Sequence, residues 1–289
     1  MTMFAVMGVT GQVGRAVANT LIDHGRVVRV IVRSESKGRP WAARGADVVV
    51  AAIEDLEAMA AALNGMKGAF VMLPPIFDPS PGFPECRQLV GALRKALEAA
   101  QPPRIVCLST IGAQATQTSL LTQLQILEQG LQALPVIAFL RAAWFMENFA
   151  WDVAPARETG VLHSFLQPLD KSFPMIATRD VGRTAAEVLL ESWQGQRIVE
   201  LEGPERITPL QVATTMGHAL ERDVRTEAVP EESWEAIFRG QGMKNPIPRM
   251  QMLEGLNQGW IDFEGGKAEP RKGRIHLEEV LRSLASKKN

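Results

Sequence analysis

Three glycines at fixed spacing near the start of the chain constrain its fold more than any other feature. Residues 8–14 read Gly-Val-Thr-Gly-Gln-Val-Gly and follow the short apolar run 4–7. Apolar residues at helical spacing continue over 15–23 and stop before Gly25. Glycines allow a tight turn and a close approach to a charged group, and a helix N-terminus offers free N–H groups. The pattern predicts a strand, a turn and a helix that bind a dinucleotide pyrophosphate, and a tight turn without a ligand is the alternative.

Strand-like and helix-like segments alternate through the first half of the chain. The apolar pattern predicts strands over 27–32, 48–50, 69–73, 104–108 and 136–140, and helices over 56–63, 85–99 and 120–131. Near-continuous apolar strands separated by helices indicate a parallel sheet that is covered on both faces. We therefore expect an α/β fold, a doubly wound parallel sheet of the Rossmann type.

The regular alternation weakens after residue 141. A helix over 181–193 and a strand over 198–201 indicate a return to the sheet, whereas proline and glycine breaks recur later. The expected domains are a dinucleotide-binding domain over 1–150, completed by 175–202, and a smaller, mostly helical substrate domain over 203–289 together with 151–174. In open α/β sheets the ligand lies beyond the carboxyl ends of the strands, so we expect the smaller domain to cap a cleft there. The last residues, 287–289, are expected to fray.

A nearly neutral composition narrows the classes of partner. Lys and Arg number 31 against 32 Asp and Glu, which gives no electrostatic reason to expect nucleic acid or an anionic membrane. Cys86 and Cys107 are too few for a disulfide framework or a zinc cluster, so we expect no metal and a reducing compartment. No stretch has the roughly 18 apolar residues of a membrane span, and no secretory signal is recognisable. We expect a cytoplasmic protein with a small-molecule substrate.

The charge that follows the second predicted strand selects between cofactors. About 20 residues beyond the glycine turn, an acid accepts hydrogen bonds from ribose hydroxyls, whereas a base pairs with a 2′-phosphate. Arg33 occupies this position, and Lys37 and Arg39 follow it closely. The planar guanidinium suits a phosphate, so we expect NADP(H) to be preferred over NAD(H). A solvated surface charge is the alternative interpretation of Arg33.

Several segments resemble the NmrA-like group of atypical short-chain dehydrogenases/reductases. The resemblance rests on residues 8–14, on Val-Ile-Val-Arg at 30–33 and on Leu-Arg-Ala-Ala-Trp-Phe-Met-Glu-Asn-Phe at 140–149, and it continues through 177–182 and 201–205. It implies a Rossmann domain, a small C-terminal substrate domain and NAD(P) binding. It also implies two kinds of member, NADPH-dependent reductases and redox sensors that bind the dinucleotide without turnover.

Two positions depart from the pattern of that family. Ala142 stands where the family usually has a proline after the arginine that corresponds to Arg141, and Ala52 stands where an aspartate often lies near the adenine. The second departure removes a side-chain contact with the adenine. The residues expected to bind the cofactor are Gly8, Thr10, Gly11, Gln12, Val13, Gly14, Arg33, Lys37, Ile53, Leu73, Pro74 and Pro75.

The chain contains no tyrosine, which excludes the usual acid of short-chain dehydrogenases. In those enzymes a Tyr, assisted by a Lys four residues on, exchanges a proton with the substrate oxygen, and here Leu120 and Leu124 are expected at the two places. Hydride delivery to an unactivated carbonyl needs a positioned acid, whereas a conjugated acceptor delocalises the developing charge. The residues favour an NADPH-dependent oxidoreductase that acts on a quinone or an azo compound. A non-catalytic NADP(H) sensor that signals through a protein partner is the alternative.

Residues at the ends of the fifth and sixth predicted strands are candidates to line a substrate site. Ser109 and Thr110 carry hydroxyls that suit donation to an acceptor oxygen, or that cap the turn after them. Trp144, Phe145 and Asn148 are the expected substrate-binding residues, although core packing is the commoner role of a tryptophan. An aromatic-lined cleft has little purpose in a pure sensor, which favours the enzyme.

Three further side chains are candidates for a chemical or a packing role. His163 lies in an expected loop after Gly160 and is a candidate acid or base, against a plain loop histidine. Glu147 is expected to pair with Arg141 rather than to act as a base. Trp151 is compatible with stacking on a flat substrate, and core packing is again the commoner role.

Overall fold

Strands alternate with helices along the first half of the chain, as the apolar pattern predicts. The computed structural model describes residues 3–286, so the expected fraying of 287–289 lies outside the described residues. The strands are β1 (Met3–Met7), β2 (Val27–Val32), β3 (Asp47–Val50), β4 (Gly68–Val71), β5 (Ile105–Thr110), β6 (Val136–Ala142), β7 (Trp144–Phe145), β8 (Val161–Ser164), β9 (Phe173–Ile176), β10 (Gly195–Glu202), β11 (Arg206–Ile207), β12 (Arg225–Ala228) and β13 (Glu269–Lys272). The helices are α1 (Gln12–Asp23), α2 (Glu35–Ala42), α3 (Leu56–Leu63), α4 (Pro84–Ala100), α5 (Thr122–Leu131), α6 (Val153–Thr159), α7 (Thr178–Leu190), α8 (Pro209–Leu220), α9 (Trp234–Gly240), α10 (Ile247–Gln258) and α11 (Leu277–Ala285), with short 3₁₀ helices over Met146–Trp151 and Glu231–Ser233.

Eight strands form one parallel sheet in the order β13-β10-β6-β5-β4-β1-β2-β3. The chain runs outward from β1 to β2 and β3, and then crosses to β4 on the other side of β1. The connections after β1 and β4 therefore leave in opposite directions and open a crevice at the carboxyl edge of the sheet. The predicted doubly wound α/β sheet is confirmed.

Both faces of the sheet are buried, because alternate residues of each strand point to opposite sides. In β1, Phe4 and Val6 belong to a hydrophobic cluster with α1 and α7, whereas Ala5 and Met7 belong to a second cluster with α3, α4 and α5. Among the helices of residues 3–286, none has the length and apolarity that crossing a bilayer requires.

Helices α1 and α7 approach each other closely because Gly182 has no side chain. A Cβ at residue 182 would overlap the Ala16 methyl group and lie 2.7 Å from the carbonyl oxygen of Val13. Gly14 is equally confined, since a Cβ there would overlap the carbonyl group of Gly8. The first turn of α7 is thereby held beside the glycine turn.

The remaining chain forms a third hydrophobic cluster with residues of α8, α9, α10 and α11. Two small sheets, β11-β9-β7 and β12-β8, accompany these helices, so this part contains more strands than the sequence predicts. The stretch 269–272, within the range expected to belong to the cap, instead returns to the large sheet as β13, beside β10. Its sequence, Glu-Pro-Arg-Lys, is short, charged and interrupted by proline, which is typical of an edge strand and gives no apolar signal.

Asp152, at the start of α6, forms no ion pair with any of residues 3–286. It follows the 3₁₀ helix Met146–Trp151 and is the N-cap residue of α6. Its side chain makes no capping hydrogen bond to the described residues of α6. Burial raises the pKa of Asp152 to about 7 from its ordinary value of 3.8, because a poorly solvated site disfavours the charged form. The folded protein keeps this proton at pH values where the unfolded chain has lost it.

Gly182→Ala is expected to lower the free energy of unfolding by about 1 to 3 kcal/mol, because the added methyl group overlaps α1. Gly91→Ala in α4 is the matched control, since nothing lies within 4 Å of a Cβ there, and it is expected to leave stability unchanged or higher. Urea denaturation measures both variants. Equal effects at the two positions would contradict the close packing of α1 on α7.

Asp152→Asn is expected to gain stability over the wild type, by on the order of 1 kcal/mol, as the pH rises from about 4.5 to 8. The folded-state pKa lies above the unfolded value, so wild-type stability falls as the pH rises through this window, and the neutral amide lacks that loss. Urea denaturation at several pH values measures the difference, with Asp170→Asn, at an exposed aspartate, as the control. If the stability difference between Asp152→Asn and the wild type stays constant with pH, the pKa of Asp152 is not raised by folding and the prediction is wrong.

Candidate functional site

The carboxyl edge of the sheet gathers the residues expected to bind a dinucleotide. The glycine turn 8–14 follows β1, Arg33 follows β2, Ile53 follows β3, and residues 73–75 follow β4. Because β1 lies between β2 and β4, these segments surround the crevice from both sides. The side chains of Ile53 and Leu73 pack in the hydrophobic core, whereas Pro74 and Pro75 are increasingly exposed.

The glycine turn leaves the N-terminus of α1 open. Gly8 has a φ of +70°, and a Cβ there would overlap the sulfur of Met72. The Gly11 N–H donates to the Gly8 carbonyl at 2.9 Å, and α1 then begins at Gln12. Within residues 3–286 no side chain caps this end, and its first turn has no acidic residue. Free amides and the helix dipole both favour an anion here, so the residues present fit a pyrophosphate.

Arg33 extends this site at the end of β2. Arg33, Lys37 and Arg39 are all exposed, and none of the three forms an ion pair with another described residue. Ser34 and Ser36 lie between them with their hydroxyl oxygens 3.1 Å apart. Unpaired cations beside hydroxyls suit a phosphate ester. The two serines were not predicted from the sequence, although their position directly after Arg33 was the available signal.

A buried charged network occupies the ends of β5 and β6. Ser109 is 4% exposed, and its hydroxyl donates to the Glu128 carboxylate at 2.5 Å. Arg141 donates to both oxygens of Glu128, at 3.0 and 2.7 Å, and to Glu264 at 2.7 Å. Burial opposes the charge, but the two carboxylates raise the pKa of Arg141. The expected pairing of Arg141 with Glu147 is therefore wrong. The Ser109 hydroxyl is buried and already donates to Glu128, so it does not face a ligand.

Thr110 is the second hydroxyl candidate at this edge. It is half-buried at the end of β5, and its hydroxyl makes no hydrogen bond to any of residues 3–286. Leu120 and Leu124 occupy the places expected for the Tyr and Lys of ordinary short-chain dehydrogenases. Leu120 packs against the hydrophobic cluster of the cap helices, and Leu124 packs against the cluster of α3, α4 and α5 on the sheet. Thr110 therefore has a hydroxyl that is not engaged by the described residues.

The segment after β6 carries the aromatic candidates. Trp144 and Phe145 form β7, which pairs with β9, and both side chains are half-buried. The indole N–H of Trp144 is buried and has no acceptor in the described part of the chain. Asn148 is exposed in the following 3₁₀ helix. Trp151 is 87% exposed, so the core-packing role expected for it is wrong.

Glu147 connects this segment to the glycine turn. Its carboxylate accepts hydrogen bonds from the Thr178 N–H, at 2.9 and 3.0 Å, and from the Thr178 hydroxyl, at 2.7 Å. The same hydroxyl lies 3.0 Å from the side-chain oxygen Oε1 of Gln12. Thr178 was not among the predicted site residues, although it lies in a segment that carried the family resemblance. Gln12, Thr178 and Glu147 form a continuous bridge between the two halves of the site.

The cap is tied to the loops that follow β4 and β5. Backbone N–H groups of Lys244 and Asn245 donate to the Asp78 carboxylate at 2.9 and 2.8 Å. Gln114 donates to the carbonyl oxygen of Asp262 at 2.8 Å. These contacts place the cap beside the carboxyl ends of the central strands.

His163 belongs to a different surface. It lies in β8, paired in register with β12, so the expected loop around it is wrong. Its exposed side chain lines a hollow of about 570 Å³ that also contains Asp152 and Glu227. The lining of this hollow includes no residue of the glycine turn or of the strand ends, so His163 is not brought together with Thr110.

The chain is similar to known proteins along most of its length. It is 26% identical over 252 residues to the NAD(P)H azoreductase of Xenophilus azovorans, covering 85% of this chain and 83% of that protein. It is 25% identical over 256 residues to quinone oxidoreductase 2 of Escherichia coli strain K12, covering 86% and 85%. The solved NADPH complex of the NADPH-dependent quinone oxidoreductase of Escherichia coli superposes with a TM-score of 0.79 at 23% identity, covering 98% of this chain and 99% of that one. The structure of Citrobacter sp. triphenylmethane reductase superposes with a TM-score of 0.77 at 17% identity, covering 99% of this chain and 100% of that one.

Two family models together match nearly the whole chain. A model described as NAD(P)H-binding matches residues 8–143, which contain the glycine turn and Arg33, and it supports binding of NAD(P)H by this chain. A model described as NmrA-like matches residues 125–271, half of the chain. The resemblance found in the sequence is confirmed, and the chain belongs to the NmrA-like family.

Proposed function

We propose that this protein is an NADPH-dependent oxidoreductase that transfers hydride to a conjugated small-molecule acceptor, such as a quinone or an azo compound. One observation carries the proposal. The open N-terminus of α1, which suits a pyrophosphate, lies on the same edge as Thr110 and the half-buried rings of Trp144 and Phe145, and the cap is tied to that edge. The relatives named as an azoreductase and a quinone oxidoreductase support this class of acceptor.

The preference for NADP(H) over NAD(H) rests on Arg33. Its guanidinium is exposed and unpaired among the described residues, at the end of the strand that follows the glycine turn. Lys37 adds a second cation, and the hydroxyls of Ser34 and Ser36 add neutral donors. A 2′-phosphate would meet charge-assisted hydrogen bonds from this group, whereas an unmodified ribose would leave it unused.

The acceptor half of the site is apolar, with few donors. The bound dinucleotide supplies the hydride, and the protein orients the acceptor against it. Trp144 and Phe145 present ring surface, and Phe77 and Ile247, 65% and 54% exposed, flank the contact between Asp78 and the cap. Thr110 donates to the acceptor heteroatom, because the Ser109 hydroxyl already donates to Glu128. A conjugated acceptor delocalises the charge that hydride adds, so water suffices as the proton source.

A redox sensor that binds NADP(H) without turnover is the second candidate function. Trp151 favours it, because this indole is almost fully exposed on the 3₁₀ helix that also contains Glu147. An exposed aromatic side chain near the bridge to the glycine turn suits contact with a protein partner.

The purified protein is expected to oxidise NADPH in the presence of quinones and azo dyes, and not in the presence of simple ketones. Thr110→Val is expected to lower kcat by about 3- to 10-fold, because the acceptor loses one hydrogen bond. NADPH absorbance measures both. Tight binding of NADPH without turnover of any acceptor would reject the enzyme and leave the sensor.

Arg33→Ala is expected to raise the Kd for NADPH by about 10- to 100-fold, because a charge-assisted contact with the 2′-phosphate is lost. The Kd for NADH is expected to stay within about twofold, since NADH lacks that phosphate. Isothermal titration calorimetry measures both constants. Arg26→Ala, at an exposed arginine before the opposite end of β2, is the matched control. Equal weakening of the two cofactors by Arg33→Ala would refute the assignment.

A further inference from the structure

We propose that Gln12, Thr178 and Glu147 form a positioning relay, which couples occupancy of the glycine turn to the placement of the aromatic segment 144–149. The relay rests on the proposed function of the turn as a dinucleotide site. It gives Thr178 and Glu147 a role in the reaction although neither is a catalytic residue. Their contacts connect the two halves of the site through the protein rather than through the cofactor.

One hydroxyl connects both ends of the relay. The Thr178 hydroxyl lies 2.7 Å from a carboxylate oxygen of Glu147 and 3.0 Å from the side-chain oxygen of Gln12, and both oxygens accept hydrogen bonds. Since a threonine hydroxyl carries one proton, the two acceptors share it, and a change at either acceptor shifts the proton towards the other.

The relay also keeps a carboxylate away from the anion site. Helices α1 and α7 begin side by side, because Gly182 lets their backbones approach closely. The Thr178 N–H at the start of α7 donates to Glu147, whereas the start of α1 has no cap among residues 3–286. The dipole of α7 stabilises the Glu147 charge in this position. A released Glu147 would compete with a pyrophosphate for the open amides of α1.

The aromatic segment is attached to the relay by backbone as well as by side chain. Trp144 and Phe145 pair with Met175 and Ile176 of β9, and β9 leads through one residue into α7. Glu147 follows two residues after Phe145 and fixes the other side of the segment. A ligand that orders Gln12 therefore also orders the residues proposed to contact the acceptor.

Hydrogen exchange measured by mass spectrometry tests the relay with 2′-phospho-ADP-ribose, which has the pyrophosphate but lacks the nicotinamide. This probe cannot touch the aromatic segment through a nicotinamide ring, so any protection of 144–149 reports on the protein. In the wild type it is expected to slow exchange in residues 8–14 and, by about 3- to 10-fold, in 144–149. NADPH serves as the parallel ligand for the whole site.

One variant interrupts the relay outside the glycine turn. Thr178→Val keeps the shape of this buried side chain and removes its hydroxyl. It is expected to retain protection of 8–14 and to lose that of 144–149, whereas Thr178→Ser restores the protection of 144–149. Thr214→Val is the matched control, because the Thr214 hydroxyl donates to the Leu210 carbonyl within α8 and to no other described residue. In turnover, Thr178→Val is expected to raise the acceptor KM by about 3- to 10-fold with kcat within about twofold.

Each outcome decides between the two proposals. Protection of 144–149 that persists in Thr178→Val overturns the relay. Protection of 8–14 alone in the wild type also overturns the relay and leaves the proposed cofactor site intact. An unprotected glycine turn in the presence of NADPH overturns the proposed function, and the relay with it.

Discussion

The N-termini of helices α1 and α7 lie side by side, and Gly182 permits this because its lack of a side chain lets the two backbones come into contact. The carboxyl edge is organised around these two starts. One N-terminus is covered by the Glu147 carboxylate and the other is left open. Since a helix N-terminus attracts negative charge, the covered end satisfies a carboxylate of the protein while the open end stays free for a ligand. The arrangement depends on backbone contact that any side chain at residue 182 would prevent.

The first half of the fold could be predicted because its signals are local. Val27–Val32 and Leu56–Leu63 have the predicted bounds, since apolar runs and helical spacing depend only on neighbouring residues. Helix α2 was not predicted, because Gly38 and Pro40 indicate a break within it. Close packing explains the glycine, since a Cβ at residue 38 would overlap the side chain of Val48. Tertiary contact here overrides local preference.

The residues of the candidate site also divide into those that local sequence predicts and those that only tertiary contacts determine. The glycine turn and Arg33 could be predicted, because they follow their strands directly in the sequence. The partners of Arg141 could not be predicted from nearby residues, since Glu147, six residues on, is not one of them. The structure instead supplies Glu128 and Glu264, which other elements position. Spacing along a chain does not reveal which side chain points into the interior. His163 shows the same effect, because its strand exists only through pairing with β12, far along the chain.

The return of β13 to the large sheet has a mechanical consequence for the cap. Residues 203–268 leave the sheet at the end of β10 and come back to the strand beside it. Because Glu269 pairs with Val199, three residues before the end of β10, the two ends of this insertion are fixed roughly 11 Å apart. A closed excursion of this kind cannot swing away as a domain on a single tether does, and α11, which follows β13, joins the same hydrophobic cluster and ties it to the sheet again. Gly265 and Gly266, both with positive φ, lie just before the returning strand, where backbone rotation is least restricted. Any movement of the cap is therefore restricted to small displacements, and these two glycines are where the returning chain can adjust to them.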